Sequence, residues 1–187
     1  MKILMIVVHP SKYAFSWKIA NEYEKIRKEK GDEIEVLDLY ASENRQDFLI
    51  FENIKEMPMN PSFLRMQEKI SASDELVFIF PMWWYSEPAI LKNFWDNNFT
   101  GRYAYRYVDG KPVGLLGGKT ARVFITADGP NFFHYLLCTP IRNIWWLTRL
   151  RFCGIKMKSF VIFDKMFRRD EQAKLKFLER VRRIASA

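Results

Sequence analysis

Five short apolar runs punctuate this chain, and each is followed by a segment with helical spacing. The runs are Ile3–Val8, Ile34–Leu39, Glu75–Phe80, Ala121–Thr126 and Met157–Phe163. The helical segments are Trp17–Lys30, Phe63–Ser71, Pro88–Phe99, Thr139–Phe152 and Asp170–Ala185. Runs that stay apolar instead of alternating with polar residues suit strands buried on both faces. Their alternation with helices predicts an α/β fold built on a doubly wound five-stranded parallel sheet, order 2-1-3-4-5. The crevice of such a sheet lies between strands one and three. At 187 residues the chain reads as one domain, 1–187, able to bury a core without a disulfide or metal staple.

Local signals mark the ends of several elements. Gly31 stops the first helix and Asp170 suits the N-cap of the last. Tyr103, Tyr105 and Tyr107 alternate ahead of Asp109-Gly110, the signature of a short hairpin or flap. Residues 40–61 are polar and irregular and read as a loop excursion. Only two histidines and two cysteines, Cys138 and Cys153, occur. They have no metal-ligand spacing, which argues against a zinc or iron site and fits a reducing compartment. No signal peptide or membrane-length apolar run is visible, so a cytoplasmic protein is expected. The net charge is +8, much of it carried from Lys165 to Arg183. That segment reads as a solvated helix face, since no nucleic-acid motif accompanies it.

Three loops, after strands one, three and four, open on one edge of the predicted sheet. The first is His9-Pro10-Ser11-Lys12-Tyr13-Ala14-Phe15-Ser16. Its hydroxyls, Lys12 and the free amides of the helix start suit a phosphate, although Ser16 taken alone reads better as an N-cap. The second carries two prolines and three adjacent aromatics, Pro81-Met82-Trp83-Trp84-Tyr85, which suit a flat, mostly apolar ligand. The third is Thr126-Ala127-Asp128-Gly129-Pro130, where Gly129 allows close backbone approach, followed by His134 and Tyr135, either of which can donate or relay a proton. No Walker lysine and no Gly-x-Gly-x-x-Gly is present. An anion site, an aromatic slot and a glycine-containing loop on one crevice describe a mononucleotide with a flat ring, and FMN fits best.

One stretch also resembles a known family. Phe80-Pro81-Met82-Trp83-Trp84-Tyr85-Ser86-Glu87-Pro88-Ala89-Ile90-Leu91-Lys92, with Trp95-Asp96 and Phe99 downstream, is similar to the flavin loop of the flavodoxin-like NAD(P)H dehydrogenase (quinone) family. Supporting matches run nearly the whole chain, from Ile3–Pro10 to Phe152-Cys153-Gly154-Ile155. The resemblance implies a flavodoxin-like fold, FMN or alternatively FAD, and NADH or NADPH as co-substrate. It also implies a homodimer with shared active sites. His9, Tyr13, Phe15 and Ser16 fall on the family's phosphate loop. Pro81, Met82, Trp83, Trp84 and Tyr85 fall along the isoalloxazine ring, and Thr126, Ala127, Asp128 and Gly129 near its pyrimidine end. The Tyr and His that assist quinone reduction in the family align loosely with His134 and Tyr135.

The expected function is therefore a flavin-dependent NAD(P)H:quinone oxidoreductase that moves a hydride to a quinone or similar acceptor by a two-electron ping-pong route. An ancillary flavoprotein regulating an ion-efflux system is the alternative. A one-electron flavodoxin carrier ranks last, because such carriers favour acidic surfaces and hydroxyl-rich phosphate loops. A homodimer is also expected from the aromatic surplus after strand three: Trp95, Phe99, Tyr103, Tyr105, Tyr107, Phe132, Phe133, Trp145 and Trp146.

Overall fold

A computed structural model describes residues 1–53, 60–130, 132 and 141–187. Strands β1 (Lys2–Val7), β2 (Glu33–Asp38), β3 (Glu75–Pro81), β6 (Thr120–Thr126) and β7 (Lys156–Phe163) form one parallel sheet in the order β2-β1-β3-β6-β7. Counted along the sheet, this is the expected 2-1-3-4-5. Helices α1 (Phe15–Glu29) and α5 (Glu171–Ser186) cover one face. The other face is covered by α2 (Pro61–Ala72), α3 (Ala89–Asn98) and a helical segment that begins as α4 (Ile141–Asn143) and continues with π geometry over Ile144–Arg151. No helix among the described residues is long and apolar enough to cross a membrane.

The period-two geometry of a strand explains the division of the core. Along β1, Leu4 and Ile6 face one cluster with Phe78, Phe80, Trp95 and Trp145, while Ile3, Met5 and Val7 face the other with Tyr23, Phe124 and Phe177. Much of the aromatic surplus goes into the first cluster. Trp95, Phe99 and Trp145 are buried, with Trp95 stacked on Phe99 at 3.8 Å and edge-on to Trp145. These three do not form an exposed patch, so they lend no support to a dimer surface. Tyr107, Phe132 and Trp146 are exposed, and Phe133 lies outside the described residues.

The start of β3 holds a polar network that sequence reading missed. Glu75 is fully buried. Its carboxylate accepts from the Tyr23 hydroxyl, from Arg122 Nε at 3.1 Å and from Thr120 Oγ1 at 3.2 Å, with Lys158 Nζ at 3.7 Å. Arg122 also donates to the Ile184 carbonyl at 2.7 Å. The network thus joins α1, β3, β6, β7 and α5. A buried carboxylate is tolerable only with such a full set of partners.

The capping expectations for Asp170 and Gly31 hold. The Asp170 carboxylate accepts from the Ala173 N–H at 2.8 Å, and Gly31 adopts a φ of 82° just past α1. The tyrosine-rich segment forms the antiparallel hairpin β4 (Tyr105–Val108) and β5 (Lys111–Gly114). It turns at Asp109 and Gly110, both at positive φ, as a type I′ turn requires. At its end Gly114 lies against the chain entering β7. A Cβ on Gly114 would sit 2.2 Å from the Gly154 nitrogen and 2.3 Å from the Cys153 carbonyl carbon. Both obstacles are backbone and cannot rotate away. Gly114→Ala should therefore destabilise the fold by about 3 kcal/mol or more, whereas Gly117→Ala, which meets nothing within 4 Å, should leave a urea unfolding midpoint unchanged.

Candidate functional site

The loops after β1, β3 and β6 meet at the carboxyl edge of the sheet. Strand pairing carries them there: the Val8 N–H donates to the Ile79 carbonyl at 2.9 Å, and the Met82 N–H donates to the Thr126 carbonyl at 2.7 Å.

The β1 loop runs directly into α1. The N-cap of α1 is Ala14, with extended φ and ψ, no side-chain cap and no acidic residue in the first turn. The helix start therefore keeps its partial positive charge without an internal anion to answer it. Ser16 is not the cap. It lies inside the first turn, buried, with its hydroxyl 3.3 Å from the Thr126 hydroxyl, which links the β1 loop to the β6 loop. The Phe15 ring is in the core, 4.8 Å from Phe163, so its contribution to a ligand site is its backbone N–H. The Ser11 hydroxyl accepts from the Tyr13 N–H at 3.3 Å, and Tyr13 is 95% exposed. His9 Nδ1 lies 3.0 Å from the Ser11 nitrogen and 3.1 Å from the Ser11 carbonyl oxygen, so it accepts from the Ser11 N–H when bare and donates to the carbonyl when protonated. Burial lowers the His9 pKa, opposed by the bond to the Ser11 carbonyl, which favours the protonated ring. Lys12 does not stand over the helix start. Its ammonium pairs with Asp38 at the end of β2 and lies 3.7 Å over the Trp17 ring.

The β3 loop holds the aromatics in a tight reverse turn. The Ser86 N–H donates to the Trp83 carbonyl at 3.0 Å, and the Trp83 N–H donates back to the Ser86 carbonyl at 2.9 Å. The two residues between them, Trp84 and Tyr85, have φ of 51° and 58°. This is a two-residue turn with both central residues left-handed, a conformation that normally selects Asn-Gly. Trp84 is 99% exposed, and Trp83 and Tyr85 are also exposed, while Pro81 is buried and Met82 packs on the core. The turn thus lifts a rigid aromatic tip clear of the sheet edge.

The β6 loop is tied down by the strand beside it. The Ala127 N–H donates to the Phe163 carbonyl at 2.9 Å, and Ala127 accepts in turn from the Met166 N–H at 3.0 Å. Ala127 is buried, Asp128 is exposed and Gly129 is half-buried. His134 and Tyr135 lie outside the described residues. Among the described residues no group of three or more His, Cys, Asp or Glu side chains is placed to hold a metal ion.

Residues 1–186 match the sequence family described as the flavodoxin-like fold. The chain belongs to this flavodoxin-like family. NAD(P)H dehydrogenase (quinone) 1 of Cavia porcellus is 29% identical over 180 residues, which cover 83% of this chain and 66% of that protein's length. FMN-dependent NADH:quinone oxidoreductase 2 of Mesoplasma florum is also 29% identical, over 90% of this chain and 85% of its own. Among solved structures, a Streptococcus mutans protein superposes with a TM-score of 0.87 at 26% identity, covering 100% of this chain and 99% of its own.

Within this flavodoxin-like framework, one pair escaped sequence reading. Glu87, the residue after the aromatic turn, is buried. Its carboxylate accepts from Arg149 of the π-helical segment and from the Ser86 hydroxyl at 3.2 Å. Burial pushes the Glu87 carboxyl up, but the Arg149 bond and charge outweigh it and hold the group below the usual carboxylate range. The two residues are 62 positions apart, so only the fold brings them together.

A left-handed backbone costs a non-glycine residue about 1–2 kcal/mol. Replacing Trp84 with Asn and Tyr85 with Gly should therefore raise the unfolding free energy by about 1–3 kcal/mol, read as a higher urea midpoint. A lower midpoint would mean that the turn is not strained.

Proposed function

We propose that this protein is a flavin-dependent oxidoreductase that carries two electrons from NADH or NADPH to a quinone-like acceptor. The observation that carries the reading is the uncapped, acid-free start of α1, set on the same sheet edge as the aromatic turn. Together they offer an anion site beside a flat apolar surface. Names of relatives point the same way: NAD(P)H dehydrogenase (quinone) in Cavia porcellus and FMN-dependent NADH:quinone oxidoreductase in Mesoplasma florum. FMN is therefore favoured over FAD.

In this reading the Phe15 and Ser16 amides hold the phosphate, and the Ser16–Thr126 hydroxyl pair fixes the distance between the β1 and β6 loops. Trp83, Trp84 and Tyr85 shield one face of the ring from water, and the backbone of Ala127 to Gly129 borders its polar end. His134 and Tyr135 remain the candidates for moving a proton to the acceptor. The flavin, when bound, supplies the hydride chemistry, and the protein supplies position and dielectric. Alternating donor and acceptor through one slot predicts a ping-pong scheme.

Two measurements on one preparation test this. The purified protein should bind FMN with quenched fluorescence, and NAD(P)H with a benzoquinone should give parallel double-reciprocal lines. Ala14→Asp should cap α1, stabilising the fold by about 0.5–2 kcal/mol, yet weaken FMN binding about tenfold or more by putting a carboxylate in the anion site. If neither FMN nor FAD binds the parent protein, the reading fails. Binding without turnover would leave a flavin-binding subunit in place of an enzyme.

We also propose a homodimer, on a surface different from the aromatic surplus. The side-chain amides of Asn93 and Asn97 donate to the Gln46 and Asp47 carbonyls at 2.7 and 3.0 Å, and Asn98 exchanges hydrogen bonds with the Gln46 side chain. The clamped segment presents Phe48, Ile50 and Phe51 to solvent, with Leu64 also exposed, and apolar patches of this kind suit a two-fold contact. Sedimentation at micromolar concentration should report a dimer that Phe48→Asp with Ile50→Asp converts to monomer; a monomeric parent protein removes the dimer.

A further inference from the structure

The aromatic turn projects from the sheet edge. Its tip residue, Trp84, is 99% exposed, and both central residues occupy left-handed backbone. Reciprocal backbone bonds close it but do not aim it. At its leading end the turn is tied to the body of the protein by the Met82 N–H, which donates to the Thr126 carbonyl at 2.7 Å, and at its closing end by the residue that follows. One oxygen of Glu87 accepts from the hydroxyl of Ser86, the residue that closes the turn, and the other accepts from the Arg149 guanidinium. Pro88 then caps α3.

Arg149 is itself buried. Its guanidinium lies 4.9 Å over the Trp145 ring and 5.5 Å over the Trp95 ring. Trp95 is part of α3, and Trp145 belongs to the same π-helical segment as Arg149. Hydrogen bonding does not exhaust the guanidinium, since Nη1 has no partner among the described residues. The tryptophan faces supply the remaining attraction. Short π stretches within helices often accompany functional sites. Arg149 lies within this π segment, and its partner Glu87 adjoins the turn.

We infer that the Glu87–Arg149 pair positions the Trp83–Ser86 turn against the ligand, so that both act as positioning residues for the proposed flavin site. The inference rests on the flavin reading for the identity of the ligand. Its physical core does not, because the pair and the turn are both features of the chain alone. Stability is a weak explanation for such a pair. Two buried charges lose their hydration, and apolar residues of similar volume usually support a fold as well or better. A charged pair does something apolar residues cannot: it fixes an orientation, since the guanidinium and carboxylate meet in few geometries.

The test uses Glu87→Leu combined with Arg149→Met, and separately Glu87→Gln, which keeps the shape and removes the charge. Hydrogen exchange of the flavin-free protein is compared at the Ser86 amide, inside the turn, and at the Phe78 amide, in β3. The inference expects Ser86 to exchange about tenfold faster or more in both variants with Phe78 unchanged. Equal acceleration at both amides would make the pair merely structural, and no acceleration at either would make it idle; each result overturns the inference. With FMN added, the visible circular dichroism of the bound flavin should change and its dissociation constant should rise in both variants. An unchanged flavin spectrum and affinity beside an accelerated Ser86 would overturn the ligand half of the claim. Failure of the parent protein to bind FMN at all would instead overturn the flavin reading, while the exchange data would still decide whether the pair sets the turn.

Discussion

Strand β3 has no exposed residue, and its position between β1 and β6 is the constraint from which the rest follows. Parallel neighbours must run in one direction, so all the chain exits fall on a single edge and all the entries on the other. The hydrogen bonds at the exits, from Val8 to Ile79 and from Met82 to Thr126, hold three loops within reach of one ligand. If β3 were an edge strand, the β1 and β6 loops would not both adjoin it.

The two edges differ in how they treat polar groups. At the entry edge, Glu75 is surrounded by Tyr23, Arg122, Thr120 and Lys158, and the carboxylate is fully answered. The Tyr23 hydroxyl is correspondingly held above its ordinary pKa, by burial first and by the Glu75 charge second. At the exit edge, α1 begins without a cap and the aromatic tip stands in solvent. Polar demand is closed where the fold must not move and left open where a ligand is to arrive. Glu87 and Arg149 sit between these regimes: buried like the first, adjacent to the second.

The sheet order was legible because buried parallel strands leave uninterrupted apolar runs, and the β4–β5 hairpin because Asp109-Gly110 is the usual chemistry for its turn. The turn at Trp84-Tyr85 was not legible, since nothing in two aromatics announces left-handed backbone; only the surrounding structure imposes it. Ser16 misled for a related reason. Serine commonly caps helices, but α1 starts two residues earlier and buries that hydroxyl against Thr126. Phe15 and Trp145 read as available aromatics and proved to be core, because periodicity marks a buried stripe without saying which member borders a cleft. The Glu87–Arg149 and Glu75–Arg122 pairs depend on tertiary contact and have no local signature at all.

Lys12 carries a last consequence. Its ammonium is committed to Asp38 and to the Trp17 ring, so the loop that opens on α1 offers an incoming anion backbone dipoles but no uncompensated side-chain charge of its own. Dipoles at a helix end act over about one turn, whereas a free ammonium is felt across roughly 8–10 Å of physiological saline. Capture at this edge is therefore a matter of contact, not of long-range pull. The net charge of +8 still draws anions toward the molecule as a whole, a pull that salt weakens, but discrimination among anions at this edge rests on how well their shape meets the amides.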